Sequence, residues 1–198
     1  MTAGDEASDQ ALTARAVAGD QSAFAALMQR HKGWLYRFVR RYVGDAEEAF
    51  DVVQESFASA WMALSRYDTA RPFDVWLRRI ALNKCRDRGR KAAVRRVLFG
   101  ARPATDTLPE TPDPGLLPDE AVAARRALGR LEQAMARLPR GLKEPLILTA
   151  LEGLSHKEAG EVLGLNAKAV ETRVYRARKQ LAEMLERGDL DDIAVGSR

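Results

Sequence analysis

The sequence predicts an all-α protein in which two small helical domains, a helical bundle and a helix-turn-helix, are joined by a proline-rich linker. In both halves of the 198-residue chain, apolar residues recur at steps of three and four, and no segment alternates with period two. Five of the eight prolines fall between residues 99 and 120, where they prevent a continuous helix. The predicted parts are an N-terminal domain at 9–97, a flexible acidic linker at 98–120, a C-terminal domain at 121–187 and a loose tail at 188–198.

The composition excludes several classes of protein. Hydrophobic residues make up 46% of the chain, which is enough to form buried cores. Cys85 is the single cysteine, and His31 and His156 are the two histidines, so neither an internal disulfide nor a zinc site is expected. The first ten residues are acidic and polar, and no apolar run approaches the ~20 residues that cross a bilayer. We therefore expect a cytoplasmic protein without membrane insertion, metal or cofactor.

Two amphipathic helices open the N-terminal domain. Asp20 is the predicted N-cap of the first helix, and Gly44 and Asp45 separate it from the second. The predicted core positions are Phe24, Leu27, Met28, Leu35, Phe38, Val39 and Tyr42 on the first helix and Phe50, Val53, Phe57, Ala60, Trp61 and Leu64 on the second. The predicted outer face of the second helix is acidic and polar, with Glu47, Glu48, Asp51, Gln54 and Glu55.

A third helix is predicted to begin near Pro72, a residue that suits a first helical turn. Residues 71–96 contain ten basic and two acidic side chains, a balance of +8, although the whole chain carries only +4. An acidic helix followed by a basic one predicts two different partners, a basic one for the acidic helix and an acidic one for the basic helix. The predicted inner positions are Phe73, Trp76, Leu77, Ile80 and Ala81, and the outer ones are Arg78, Arg79, Asn83, Arg86, Asp87 and Arg90.

The C-terminal domain has the pattern of a helix-turn-helix. Helices are predicted near 121–138 and 144–151, with a stop at Pro139 between them. Ser155 and Glu158 form a capping-box pattern at the start of a short helix that ends at Gly164, and Asn166 caps the last helix. Gly160 lies inside the short helix, where glycine costs ~1 kcal/mol relative to alanine. We therefore expect Gly160 to weaken this motif.

The last helix is the candidate recognition helix, because the second helix of such a motif enters the major groove of DNA. Residues 168–179 hold five bases and one acid, which favours attraction to phosphates over a merely solvated face. Its predicted exposed side chains are Lys168, Glu171, Thr172, Arg173, Tyr175 and Arg176.

Several segments together resemble a known family. Residues 51–57 (DVVQESF), Trp61, 66–68 (RYD) and 71–80 (RPFDVWLRRI) are similar to region 2 of bacterial sigma-70-type initiation factors of the extracytoplasmic-function class. Residues 138–139 (LP), 151–155 (LEGLS), 163–165 (LGL) and 170–178 (VETRVYRAR) are similar to region 4 of the same class. The resemblance spans both folded blocks in the same order, with the linker between them.

This resemblance implies a sigma factor and not an enzyme: a subunit that binds core RNA polymerase and directs initiation at promoters through minus-ten and minus-35 elements. It also implies an anti-sigma partner, and we expect the free protein to be a monomer. The implied polymerase-binding residues are Asp51, Gln54 and Glu55. The implied minus-ten residues are Tyr67, Asp68, Asn83, Lys84, Arg86, Asp87 and Arg90, with Tyr67, Asp68 and their loop at the flipped base. The implied minus-35 residues are Lys168, Glu171, Thr172, Arg173, Tyr175 and Arg176.

Some interpretations remain open from the sequence. Tyr67 either meets a flipped base or packs as a core aromatic, and Glu171 either selects cytosine or pairs with Lys168 on its own helix. Cys85 is either a reactive thiolate among cations or a small buried residue. The alternative functions are a stand-alone helix-turn-helix repressor and a magnesium nuclease built on Asp45, Glu48, Asp51 and Glu55, although carboxylates on one exposed helix cannot surround a metal.

Overall fold

A computed structural model of the chain describes residues 8–69, 71–99 and 118–195, and the chain divides into two compact units, residues 1–108 and 109–198. The described residues contain helices and turns and no strand, so the predicted all-α class is confirmed. The N-terminal unit contains α1 (Asp9–Val17), α2 (Gln21–Val43), α3 (Ala46–Ala63), a 3-10 turn (Leu64–Arg66) and α4 (Phe73–Phe99). The C-terminal unit contains α5 (Pro118–Arg137), α6 (Arg140–Leu146), a π-helical turn (Ile147–Leu151), α7 (His156–Leu163) and α8 (Ala167–Val195).

The helix ends differ from the predicted domain limits in two places. Of the predicted linker, residues 100–117 lie outside the described residues, and α4 and α5 occupy its two ends. Where a loose tail was predicted from 188 onward, α8 continues as helix to Val195. The remaining three residues, 196–198, lie outside the described part of the chain.

Local chemistry sets the boundaries of the N-terminal helices. The Asp20 carboxylate accepts a hydrogen bond from the backbone N–H of Ala23 (3.1 Å), which confirms it as the N-cap of α2. Gly44 ends the same helix with a φ of 88°, a left-handed conformation that glycine adopts without steric cost. Asp45 then caps α3 by accepting from the N–H of Glu48 (2.7 Å). The short α1, which the sequence pattern did not reveal, precedes these helices and packs on α2.

The core of the N-terminal unit lies between α2, α3 and α4. Most predicted core positions are buried, but Phe50 is 56% exposed and Met28 and Trp61 are also exposed. The buried stripe of α3 consists of residues 49, 52, 53, 56, 57 and 60, and at 3.6 residues per turn Phe50 lies about 90° from its centre. The prediction that Met28, Phe50 and Trp61 face the core is therefore wrong. Arg78 departs in the opposite direction, since it was predicted to face outward and its side chain is largely buried.

In the C-terminal unit, the helix-turn-helix is formed by α7 and α8. The capping box of Ser155 and Glu158 is present with both reciprocal hydrogen bonds, and Asn166 accepts from the N–H of Ala169 (2.8 Å). The turn residue Gly164 has a φ of 70°. These observations confirm the predicted caps and turn. The side chains buried between the two helices and the rest of the unit are Ala159, Val162, Val170, Val174, Ala177 and Leu181.

Gly160 has a different role from the predicted one. A Cβ atom at this position would lie 2.5 Å from the carbonyl oxygen of Leu165, closer than real Cβ atoms approach other atoms. The N–H of Leu165 also donates to the carbonyl oxygen of Gly160 (2.9 Å). Glycine therefore permits the close approach of the turn to α7, and its helix-propensity cost is not a defect of the motif.

Candidate protein and nucleic-acid interfaces

The acidic face of α3 is exposed as predicted, and it is tied to α4. Asp51, Gln54 and Glu55 are exposed, with 59% and 49% of the Asp51 and Glu55 side chains accessible. Nη2 of Arg88, on α4, lies 3.3 Å from Oδ2 of Asp51 and 2.9 Å from Oε1 of Glu55. The hydrogen bond to Glu55, aided by that to Asp51, raises the pKa of the Arg88 guanidinium above its ordinary value, although partial burial opposes the shift. Sequence reasoning did not single out Arg88.

Apolar side chains flank these carboxylates on the same helix. Phe50, Trp61 and Met62 are all exposed, and the Trp61 ring packs against Phe24 with 5.0 Å between ring centroids. The exposed face of α3 therefore combines charge with apolar area, a composition typical of protein interfaces. We call Phe50, Asp51, Gln54, Glu55, Trp61 and Met62 the α3 surface.

Tyr67 lies in the aromatic core beneath the loop that precedes α4. It is 7% exposed, its ring centroid lies 4.7 Å from that of Trp76, and its hydroxyl donates to the carbonyl oxygen of Arg71. Burial raises the Tyr67 pKa above its ordinary value, and the nearby carboxylates of Asp68 and Asp74 add to the shift. Of the two sequence interpretations, the packed aromatic describes this side chain in the free protein. Asp68 is exposed, and Arg71 lies 3.4 Å from it.

A pocket of about 400 Å³ lies beside this loop, between the starts of α1 and α4. Its lining brings together acceptor groups, an arginine and aromatic rings, and includes Asp9, Thr13, Tyr67, Arg71, Phe73 and Asp74. Its volume falls within the range of small-ligand pockets. Residues of α1 were absent from the predicted site, because the short helix carries no motif that indicated their position.

A buried histidine supports this pocket. Nε2 of His31 lies 2.7 Å from Oδ2 of Asp9, and the Trp34 indole N–H donates to Nδ1 (2.7 Å). Because Nδ1 accepts, the ring hydrogen is on Nε2 and donates to Asp9. Arg30 lies 2.6 Å from the other oxygen of Asp9, and the Phe73 ring lies 5.2 Å from the imidazole. The sequence pattern does not reveal this role of His31, since a lone histidine on an apolar face gives no signal of such contacts.

The predicted minus-ten residues of α4 lie together on its outer part. Asn83 and Arg90 are exposed, Lys84, Arg86 and Asp87 are half-buried, and the Asp87 carboxylate accepts from Arg90. Arg86 donates to the amide oxygen of Asn83 (3.1 Å). These polar groups are available at the surface, with their neighbours on the same helix as partners. Cys85, by contrast, is buried, in agreement with its interpretation as a small packed residue.

The predicted recognition face of α8 is exposed almost entirely. Tyr175 is 70% exposed, Lys168, Glu171, Thr172 and Arg176 are exposed, and Arg173 is half-buried. Nζ of Lys168 lies 2.9 Å from Oε2 of Glu171, and this hydrogen bond holds the Glu171 pKa below its ordinary value. Glu171 therefore pairs with Lys168 in the free protein, as one of the two interpretations predicted. Its preference for cytosine stays a prediction.

Two further features concern the alternative functions. Across residues 8–69, 71–99 and 118–195, no three His, Cys, Asp or Glu side chains lie together as metal ligands would. Asp45, which the nuclease alternative required, serves as the α3 cap.

No helix in the described part of the chain is long and apolar enough to span a membrane.

Comparison with known proteins identifies both units. Residues 27–95 match the family described as Sigma-70 region 2, and residues 128–181 match Sigma-70, region 4. The chain is 42% identical to RNA polymerase sigma factor NccH of Alcaligenes xylosoxydans xylosoxydans, over 92% of this chain and 97% of the relative. It is 32% identical to ECF RNA polymerase sigma factor SigW of Bacillus subtilis, over 84% and 91% of the two chains.

A solved structure extends the likeness to the fold. The structure of CnrH in complex with the cytosolic domain of CnrY matches with a TM-score of 0.66 and 37% identity, and covers 90% of this chain and 97% of CnrH. Both family models match this chain, and sigma factors that are 32% and 42% identical to it are covered over more than nine-tenths of their length. The chain therefore belongs to the extracytoplasmic-function class of RNA polymerase sigma factors, which are not enzymes but subunits that bind core polymerase and direct promoter-specific initiation of transcription.

Proposed function

We propose that the α3 surface is where this sigma factor binds core RNA polymerase, with Asp51, Gln54 and Glu55 as the polar contacts. The observation that carries the proposal is the exposure of two carboxylates within a partly apolar face. Carboxylates steer a basic partner and fix its register, and exposed apolar and aromatic groups supply burial on contact. Phe50, Trp61 and Met62 therefore belong to the proposed interface.

The pocket beside Tyr67 is the proposed site for a base extruded from the minus-ten element. A base can be recognised on all its edges only after it leaves the stack, and a cavity with aromatic and polar walls accepts it. Tyr67 forms part of the wall, while Asp68 lies on the exposed loop next to it. Neighbouring nucleotides then meet α4, where Asn83 and Asp87 contact base edges and Lys84, Arg86 and Arg90 contact phosphates.

The exposed face of α8 is the proposed reader of the duplex minus-35 element. Arg173 and Arg176 contact guanine or phosphate, Lys168 contacts phosphate, and Thr172 and Tyr175 add polar contacts. Glu171 accepts a hydrogen bond from cytosine after it releases Lys168. The bond to Lys168 is exposed to solvent and therefore weak enough to be replaced.

Regulation by an anti-sigma partner is part of the proposal. The related CnrH was solved in complex with the cytosolic domain of CnrY. An exposed surface that mixes apolar and charged groups, such as the α3 surface, is suited to a competing protein as well as to polymerase. We propose that the free chain is a cytoplasmic monomer that exchanges between these two partners.

The test is co-elution of the purified chain with bacterial core RNA polymerase. Because like charges placed across an interface cost several kcal/mol, Asp51→Lys/Glu55→Lys should weaken binding by about a hundredfold. The matched control is Glu183→Lys/Glu186→Lys, which makes the same charge change at exposed positions of α8. Equal binding by Asp51→Lys/Glu55→Lys and the wild type would place the polymerase contact elsewhere.

A further inference from the structure

We infer that Arg88 is a positioning residue for the polymerase contact: it holds Asp51 and Glu55 in the arrangement in which polymerase binds them. The inference rests on the proposed role of the α3 surface. It concerns a residue on α4, the helix otherwise assigned to promoter DNA, and it gives that helix a second role in the protein interface.

The geometry is a bridge made by a single nitrogen. Nη2 of Arg88 donates to Oε1 of Glu55 at 2.9 Å and approaches Oδ2 of Asp51 at 3.3 Å. Asp51 and Glu55 are four residues apart on α3, a spacing at which like charges repel each other. The guanidinium relieves that repulsion and holds the two exposed carboxylates near one point.

The bridge leaves the carboxylates accessible to a partner. It uses one oxygen of each, Oδ2 of Asp51 and Oε1 of Glu55. The Asp51 and Glu55 side chains are about half exposed, whereas the Arg88 side chain is 25% exposed. The cation therefore lies deeper than the two carboxylates, and a basic partner can approach them from the solvent side.

Packing of α4 holds Arg88 in this place. Leu82 and Cys85, one to two turns earlier on the helix, are buried in the core of the N-terminal unit. Arg86 and Arg90 form hydrogen bonds with residues of their own helix, whereas Arg88 crosses to α3. The buried side of α4 thus fixes the backbone position from which the Arg88 side chain reaches Asp51 and Glu55.

Ordering the carboxylates in advance favours binding, because less conformational entropy is then lost when the partner binds. Without Arg88 the two side chains separate, and polymerase must order both on contact. In the opposite role, Arg88 would be a competitor that polymerase has to displace from the carboxylates. The two roles predict opposite changes in affinity when Arg88 is removed.

The test measures the dissociation constant of full-length variants for core polymerase, without DNA, at about 0.15 M salt, where long-range charge effects are screened. Arg88→Gln should bind about three- to tenfold more weakly than the wild type. Arg88→Lys, which keeps the charge, should recover part of the loss. Arg79→Gln, the same charge change at an exposed position of α4, should bind like the wild type.

A second set of variants separates positioning from a general structural role. In the background Asp51→Asn/Glu55→Gln, adding Arg88→Gln should cause no further loss, because Arg88 acts through these two carboxylates. A further loss in that background, or binding by Arg88→Gln that equals or exceeds the wild type, overturns the inference. If Asp51→Asn/Glu55→Gln itself binds normally, the proposed polymerase contact is wrong and the inference is overturned with it.

Discussion

The two units position their functional surfaces by different physical means. In the N-terminal unit, side chains do this work: Arg88 bridges to Asp51 and Glu55, and His31 joins Asp9 to Trp34. In the C-terminal unit, the backbone does it, since Gly160 lets the turn approach α7.

This difference is consistent with the proposed functions of the two units. The N-terminal unit presents a pocket and the proposed protein interface, each of which needs several polar groups held at specific points, and its polar contacts are partly buried or exposed. The C-terminal unit presents the proposed recognition helix and needs a fixed orientation of that helix, which close backbone packing supplies. Substitutions that remove a hydrogen-bond partner should therefore destabilise the N-terminal unit most. Substitutions that add side-chain volume should destabilise the C-terminal unit most.

The largest expected effect is that of His31→Leu. This change leaves the Trp34 indole N–H without its acceptor and removes one of two partners of Asp9, so it should lower the free energy of unfolding by about 2 kcal/mol. All three tryptophans, Trp34, Trp61 and Trp76, lie in the N-terminal unit, so their fluorescence during denaturation reports on that unit alone. His156→Leu, in the other unit, should leave this transition unchanged. A wild-type midpoint for His31→Leu would show that these hydrogen bonds do not stabilise the unit.

A smaller loss is expected from Gly160→Ala. Its Cβ would force the turn away from α7 at a typical cost of 1–3 kcal/mol, and the better helix propensity of alanine offsets about 1 kcal/mol. The net loss of about 1 kcal/mol should appear as faster amide hydrogen exchange in α7 and α8. Gly141→Ala is the matched control, since nothing lies within 4 Å of a Cβ there, and it should be neutral or stabilising. Slower exchange in Gly160→Ala would contradict the close-approach argument.

The smallest effect concerns pH and the α2 cap. Hydrogen bonds from Ser22, Arg15 and the Ala23 N–H hold the Asp20 pKa well below its ordinary value. A group whose pKa is lowered by folding stabilises the protein above its unfolded pKa of about 3.9, and this contribution is lost as the pH falls through the folded value. Asp20→Asn keeps an acceptor for Ala23 but has no charge.

Asp20→Asn should therefore unfold more easily than the wild type at pH 7, with a difference that shrinks as the pH approaches 3. Tryptophan-monitored denaturation midpoints at pH 7, 5 and 3 measure this difference. A difference that stays constant or grows on acidification would mean that the Asp20 charge does not contribute.

The chain determines its helices largely by itself. Caps such as Asp20, Ser155 and Asn166 act on N–H groups two or three residues away, so the sequence pattern places them without knowledge of the fold. The segregation of acids on α3 from bases on α4 is likewise visible in the sequence, as are the motifs of regions 2 and 4. These features were sufficient to predict the fold class, the family and the exposed face of Asp51, Gln54 and Glu55.

Contacts between helices were decided only by the tertiary structure. The bridge from Arg88 spans 33 residues to Glu55, and the bond from His31 spans 22 to Asp9, so neither has a local signal. The exposure of Phe50 depends on how far α3 is rotated about its axis, while periodicity defines the apolar stripe only to within about one residue. The role of Gly160 is likewise invisible in the sequence: helix propensity predicts only that glycine is unfavourable there. The packed turn shows that no larger residue fits. Short-range hydrogen bonds can be inferred from neighbouring residues, whereas packing depends on distant residues that folding brings together.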